Sequence, residues 1–143
     1  MLDKKDRLSF MVSSQMTQFV VGYTKILEND LTAPQYLIIQ ILAVEEKQNC
    51  SDLAVALDIT LSAVTNLTNK LVAKGYIERT VSETDRRNVY LRITDKGREV
   101  ENRIVEKYKE MTETLWAGFT DEEIDLLLAS YEKMLSNIQM RNK

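Results

Sequence analysis

Apolar positions recur along this chain with two different periods, and the change of period divides it into parts. Leu8, Met11, Phe19, Val20, Tyr23, Ile26 and Leu27 fall mostly three and four residues apart, which predicts a long amphipathic helix over residues 7–28. A second helix is predicted from Ala33 to about Glu45. Thr32 and Gln35 form a capping box there, Pro34 sits in the first turn, and Leu37, Ile38, Ile41 and Leu42 are the expected buried residues. Asn49 can cap a short third helix with Asp52 near its start and Leu53, Ala54 and Leu57 as its inner stripe. Asp58-Ile59-Thr60 then breaks the pattern over about three residues, the turn length of a helix-turn-helix. Thr60 caps a fourth helix from Leu61 to Lys74, with Val64, Leu67 and Leu71 inside, Thr68 at the edge of that stripe, and Gly75 as a left-handed stop.

Beyond Gly75 the period shortens to two. Tyr76 to Val81 reads as a strand anchored by Ile77, Ser82 to Asp85 as a polar tip, and Val89, Leu91 and Ile93 alternate with Tyr90 and Arg92. Arg86 and Arg87 lie where the tip turns back, with Asp85 near enough to orient one of them. The helical period then returns. Thr94 caps a charged helix from Asp95 to about Ala117 with Val100, Ile104, Tyr108, Met111 and Leu115 as its stripe, stopped by Gly118. Thr120 and Glu123 form another capping box, opening a last helix expected to bury Ile124, Leu127, Leu128, Tyr131, Met134, Leu135 and Ile138. The expected fold is mainly α with a small β-hairpin wing, a winged helix-turn-helix flanked by N- and C-terminal helices.

The residues facing away from the core of the fourth helix supply the candidate chemistry. Ser62, Ala63, Thr65, Asn66, Asn69 and Lys70 are small, polar or cationic, the inventory that hydrogen-bonds base edges and phosphates. Arg86 and Arg87 on a projecting hairpin suit a narrow minor groove, whose potential is strongly negative. Amphipathic helix pairs and charged turns are common in proteins of every kind, so the helix spacing alone is a weak signal. The helix pair, the glycine stop, the alternating hairpin and the tip arginines together are specific.

The net charge of −3 argues at first against a nucleic-acid partner. Its distribution reverses that. Residues 69–98 hold eight basic side chains against four acidic ones, a local balance of +4 that leaves −7 for the rest. Phosphate attraction depends on the local field at the contact surface.

The segment from Asp58 to Gly97 resembles the winged helix-turn-helix of the MarR family (multiple-antibiotic-resistance regulators). The likeness lies in the run from Val64-Thr65 through Lys70-Leu71 to Lys74-Gly75-Tyr76-Ile77-Glu78-Arg79, in the Asp85-x-Arg87 wing signature, and in Thr94-x-x-Gly97. Length and helical flanks extend it over nearly the whole chain. The resemblance implies that Leu61 to Lys74 is the recognition helix, that Arg87 enters the minor groove, and that Asp85 holds it in place. Asn66 and Asn69 depart from the family pattern, standing where members often carry a basic and an acidic residue. The organisation it implies is one domain over 1–143, with dimerisation helices at about 1–30 and 95–143 and a DNA-binding lobe at about 32–94.

The apolar faces of the first and the last two helices exceed what so small a centre can cover, and a second copy is their expected partner. A homodimer would set two recognition helices about 34 Å apart, facing a pseudo-palindromic operator in double-stranded DNA. The expected hinge lies where the terminal helices join the winged motif. Tyr23, Tyr36, Met11 and Met111 are the candidate lining of a pocket for a small phenolic or lipophilic effector, a reading that leans on the family likeness. The same side chains read equally as plain core.

Other chemistries find no residues to perform them. The chain has no histidine and one cysteine, so imidazole catalysis and His- or Cys-caged metals are excluded, and no catalytic constellation, cofactor motif or phosphate loop is present. Asp121-Glu122-Glu123 reads as compensation of a helix dipole. Cys50 at a helix start invites a redox reading. Some members of the resembling family sense oxidants through a cysteine in the first helix, which here has none, so Cys50 reads as a small, partly buried residue. No apolar run approaches the roughly 20 residues that span a bilayer, and the first ten residues do not read as a secretory signal. The expected location is the cytoplasm, with no membrane partner. The leading reading is a dimeric, sequence-specific DNA-binding transcription regulator, a repressor relieved by an effector. The alternative is a winged helix used for protein–protein contact without DNA.

Overall fold

The computed structural model describes residues 1, 3–27 and 31–141. Six α-helices and one hairpin follow in the order α1 (Lys4–Leu27), α2 (Ala33–Val44), α3 (Cys50–Leu57), α4 (Leu61–Ala73), β1 (Ile77–Val81), β2 (Val89–Ile93), α5 (Asp95–Glu113) and α6 (Asp121–Arg141), with a 3-10 turn at Thr114–Trp116. The chain divides into two compact units, Met1–Tyr108 and Lys109–Lys143, with α5 contributing residues to each.

Local chemistry sets most boundaries in the first unit. Thr32 and Gln35 cap α2 reciprocally, and Asn49 and Asp52 do the same for α3. Asp58 ends α3 in the left-handed conformation (φ 52°), which short Asx side chains tolerate better than most. The chain then bends by 114° into α4, within the range of a helix-turn-helix. At the end of α4, Gly75 takes φ +80° while its N–H and that of Tyr76 bond the Val72 and Leu71 carbonyls, a Schellman termination. The hairpin is antiparallel, with Ile77 opposite Ile93 and Val81 opposite Val89. Gln48 adds an isolated bridge to Leu91, which ties the α2–α3 loop to the root of the wing.

The core of this unit sits where α2, α3, α4, the hairpin root and the start of α5 meet. Ile38, Ile39, Leu53, Val64 and Leu71 are fully buried, with Ile77, Leu91, Ile93, Val100 and Ile104 around them. Two expectations need correction here. Leu37 is 46% exposed and Ile39 takes its place inside, because the buried arc of α2 is centred one residue later than its apolar run suggested. Thr68, expected at an edge, is fully buried; its hydroxyl donates to the Thr65 carbonyl and lies 3.9 Å from Cys50 Sγ, so the polar atom is satisfied inside.

The terminal helices keep most of their apolar positions uncovered within one chain. In α1, Leu27 is buried, while Phe10, Met11, Met16 and Val20 are more than 60% exposed. Helix α6 buries none of its residues within the chain: Leu128, Leu135 and Ile138 are exposed, and Ile124 and Leu127 only half-buried. A single copy therefore covers these stripes only in part. The fifth helix stops at Glu113 and tightens into the 3-10 turn before Gly118, short of the expected Ala117. Glu28, the expected end of the first helix, lies outside the described residues, as do Asn29, Asp30, Asn142 and Lys143 within the expected dimerisation segments.

The junction between wing and α5 is cross-tied. Thr94 Oγ1 donates to the Gly75 carbonyl at 2.6 Å and accepts from Gly97 N, and Lys96 Nζ donates to the Lys74 carbonyl while lying over the Tyr76 ring. Three hydrogen bonds and one cation–π contact thus meet where β2 passes into α5, one of the places where a hinge is expected from the sequence.

Candidate nucleic-acid interface

Helix α4 has one face in the core and the other in solvent. Its N-terminus is held by Thr60, whose hydroxyl accepts from Ala63 N at 3.1 Å. With Val64, Thr68 and Leu71 fully buried, helical geometry turns Ser62, Thr65, Asn66, Asn69 and Lys70 outward, and all five are exposed; Ala63 is half-buried. Thr65 directs its hydroxyl hydrogen to the Leu61 carbonyl at 2.9 Å, which leaves its methyl group and an acceptor lone pair facing out. Each recognition-helix residue named from the sequence except Ala63 is thus on the open face.

The wing tip is built by short polar links. Ser82 Oγ accepts from the backbone N–H groups of Thr84 and Asp85, and Ser82 N bonds the Asn88 carbonyl at 3.0 Å. Asp85 accepts from the Arg87 backbone N–H at 3.0 Å and from Asn88 Nδ2 at 3.5 Å. The carboxylate therefore fixes the main chain of the tip rather than a guanidinium. Among the described residues the Arg86 and Arg87 side chains have no hydrogen-bond or ion-pair partner, and both are exposed. Charge on the wing flank is handled differently. Arg92 is committed to Glu78 across the strands, its Nε donating at 2.9 Å. Among the described residues of α4 and the hairpin, Lys70 on α4, Arg86 and Arg87 at the tip, and Arg79 on β1 are exposed cations with no carboxylate partner. Arg79 was not singled out by the sequence reading. Its guanidinium donates to Asn69 Oδ1, a contact between helix and strand that ten residues of separation do not advertise.

The residues named for an effector fall into different settings. Tyr23 and Tyr36 stand 6.1 Å apart between ring centroids, Tyr23 stacks on Tyr108 at 5.0 Å, and Phe19 meets Tyr108 edge-on. Burial, helped by Tyr23 and Glu101 and opposed by a hydrogen bond from Gln40, pushes the Tyr36 phenol up to about 12. Burial also raises Tyr23, with Tyr108 adding to the effect. Met11 is 62% exposed on α1, and Met111 is half-buried in the C-terminal unit. A groove of about 1080 Å³ opens elsewhere, behind the wing, between Glu45, Glu46 and Lys47 on one side and Tyr90, Arg92 and Arg98 on the other; none of the four effector candidates lines it.

No single helix among the described residues is long and apolar enough to cross a membrane.

Comparison with known proteins agrees with this geometry. The MarR family model matches residues 31–89, the stretch from α2 through the wing tip. The HTH-type transcriptional regulator SarZ of Staphylococcus saprophyticus is 33% identical over 121 residues, covering 82% of this chain and 79% of SarZ. The transcriptional repressor MprA of Escherichia coli K12 is 28% identical over 106 residues, covering 71% of this chain and 60% of MprA. Among solved structures, Streptococcus pneumoniae FabT in complex with DNA superposes with a TM-score of 0.77 at 26% identity, over 96% of this chain and 98% of FabT. With the helix pair, the wing and this degree of likeness all coinciding, the chain belongs to the MarR family of winged helix-turn-helix transcriptional regulators, and is a regulator rather than an enzyme.

Proposed function

We propose that the chain works as a homodimer that binds double-stranded DNA at a pseudo-palindromic operator and represses nearby genes until a small phenolic or lipophilic effector releases it. The observation that carries the DNA reading is the joint exposure of the outer α4 face and of Arg86 and Arg87, whose side chains have no partner among the described residues, in a basic segment of a chain whose other residues sum to −7. Ser62, Thr65, Asn66 and Lys70 would meet base edges and phosphates in the major groove, with Ala63 close to the same surface. The tip arginines would enter the minor groove alongside, with Asp85 holding the tip's backbone in shape.

The uncovered apolar stripes of α1 and α6 support the dimer, because exposed leucines and isoleucines at helical spacing favour burial against a second copy. FabT was solved on DNA and MprA is a repressor, which favours both parts of the reading. The aromatic group of Tyr23, Tyr36, Phe19 and Tyr108, in which burial raises the Tyr23 and Tyr36 phenols, suits a weakly polar ring-bearing effector. Selection from random duplex DNA tests the proposal. A two-fold-symmetric enriched site supports it, while failure to retain any duplex points instead to a winged helix used for protein contacts, and a retained pool without enrichment contradicts sequence-specific binding.

A further inference from the structure

Arg79 lies on the exposed side of β1 and reaches back to the recognition helix, where its guanidinium donates to Asn69 Oδ1. The adjacent strand residue behaves differently: Glu78 is tied to Arg92 across the hairpin. Arg79 thus meets a neutral carboxamide and, among the described residues, no carboxylate. That difference decides what the cation is available for. A carboxylate at position 69 would neutralise the guanidinium, whereas a carboxamide orients it and leaves its charge intact. A guanidinium is permanently charged and presents five donors in a planar fork, so one bond to Asn69 leaves donors for an oxyanion.

We propose that Arg79 binds a phosphodiester group of the DNA backbone and that Asn69 is its positioning residue rather than a reader of bases. This rests on the DNA-binding function proposed above. Bidentate recognition of adenine by asparagine uses the side-chain oxygen and nitrogen together. Asn69 Oδ1 already accepts from Arg79, so that edge is engaged. Contacts to phosphate fix the register of a protein on the duplex and carry no sequence information. Base preference is therefore left to Ser62, Thr65 and Asn66, nearer the start of α4. Lys70, next in sequence to Asn69, adds a second exposed cation beside the same helix end.

The test uses the full-length chain and the duplex most enriched by the wild type from a random pool, with binding followed by fluorescence anisotropy across a salt series. Arg79→Met should make the slope of log K against log salt shallower by about 0.9 per bound protomer, the share of one phosphate contact. Arg79→Lys should keep the slope. Asn69→Asp should lower it as Arg79→Met does, because the new carboxylate neutralises the guanidinium. Asn69→Ala should select the same bases as wild type at every position. Thermal melting checks that each variant is folded. A wild-type slope in Arg79→Met or Asn69→Asp, or a changed base preference in Asn69→Ala, overturns the assignment while leaving DNA binding intact. A wild-type chain with no salt-dependent binding overturns the underlying function and this proposal with it.

Discussion

The Tyr76 carbonyl occupies the space a side chain would need at Gly97. A Cβ built on Gly97 would stand 2.1 Å from that oxygen and 2.8 Å from Ile93 Cγ1. The oxygen cannot retreat, because it accepts the Thr94 N–H at 3.0 Å within the cross-tied junction of wing and α5. Gly97→Ala should therefore destabilise the fold by about 3 kcal/mol, as overpacking against a backbone does. The urea midpoint is the readout, and an unchanged midpoint would contradict the close approach.

Thr60 supports the recognition helix from its end. Its hydroxyl satisfies an otherwise orphan N–H of the first turn. Thr60→Ala should cost about 1 kcal/mol of stability, while Thr60→Ser retains the cap. Equal losses in the two variants would show that the hydroxyl is not what matters.

These local devices account for how much of the fold was legible in the sequence. A capping box is written within four residues, so Thr32 with Gln35 and Thr120 with Glu123 were readable, and both are present. Gly75 was readable for the same reason. Burial was less legible, since an all-apolar run such as Leu37 to Leu42 does not say which arc faces the core. The stripe of α6 was legible as apolar, but its pattern does not say whether its own chain or a second copy covers it, and within one chain it is uncovered. Gln48 joins Leu91 through backbone atoms alone, which no side-chain pattern reveals. At the site, exposure of the outer α4 face followed directly from its inner stripe. The role of Arg79 did not, because the bond to Asn69 depends on how β1 packs beside α4.

Arg87 is the cation most clearly offered at the wing. Its backbone is pinned by Asp85 and its side chain has no partner among the described residues. Arg87→Ala should weaken binding to the selected duplex by about 1–3 kcal/mol and leave the melting temperature unchanged. Undiminished affinity and salt dependence would remove the wing from the interface.

Tyr36 gives the fold an alkaline limit. Its hydroxyl ionises near 12 in the folded chain, against an ordinary value of 10. A group raised on folding contributes stability that is complete below the unfolded value and is lost as pH rises through the folded one. Stability should thus fall between about pH 10 and 12, and Tyr36→Phe should flatten that fall. Urea midpoints taken at pH 9, 10, 11 and 12 give the comparison; parallel curves for the two proteins would mean that the phenol is not the group responsible.

On the proposed reading, two copies present their α4 helices and wing tips as one surface matched to a duplex. Sedimentation of the chain alone and on its selected duplex tests this most directly. The expected result is a dimer in free solution and two chains on each two-fold-symmetric site, with half-sites centred about 10 bp apart. A monomer in free solution that loads singly onto an asymmetric site would contradict it.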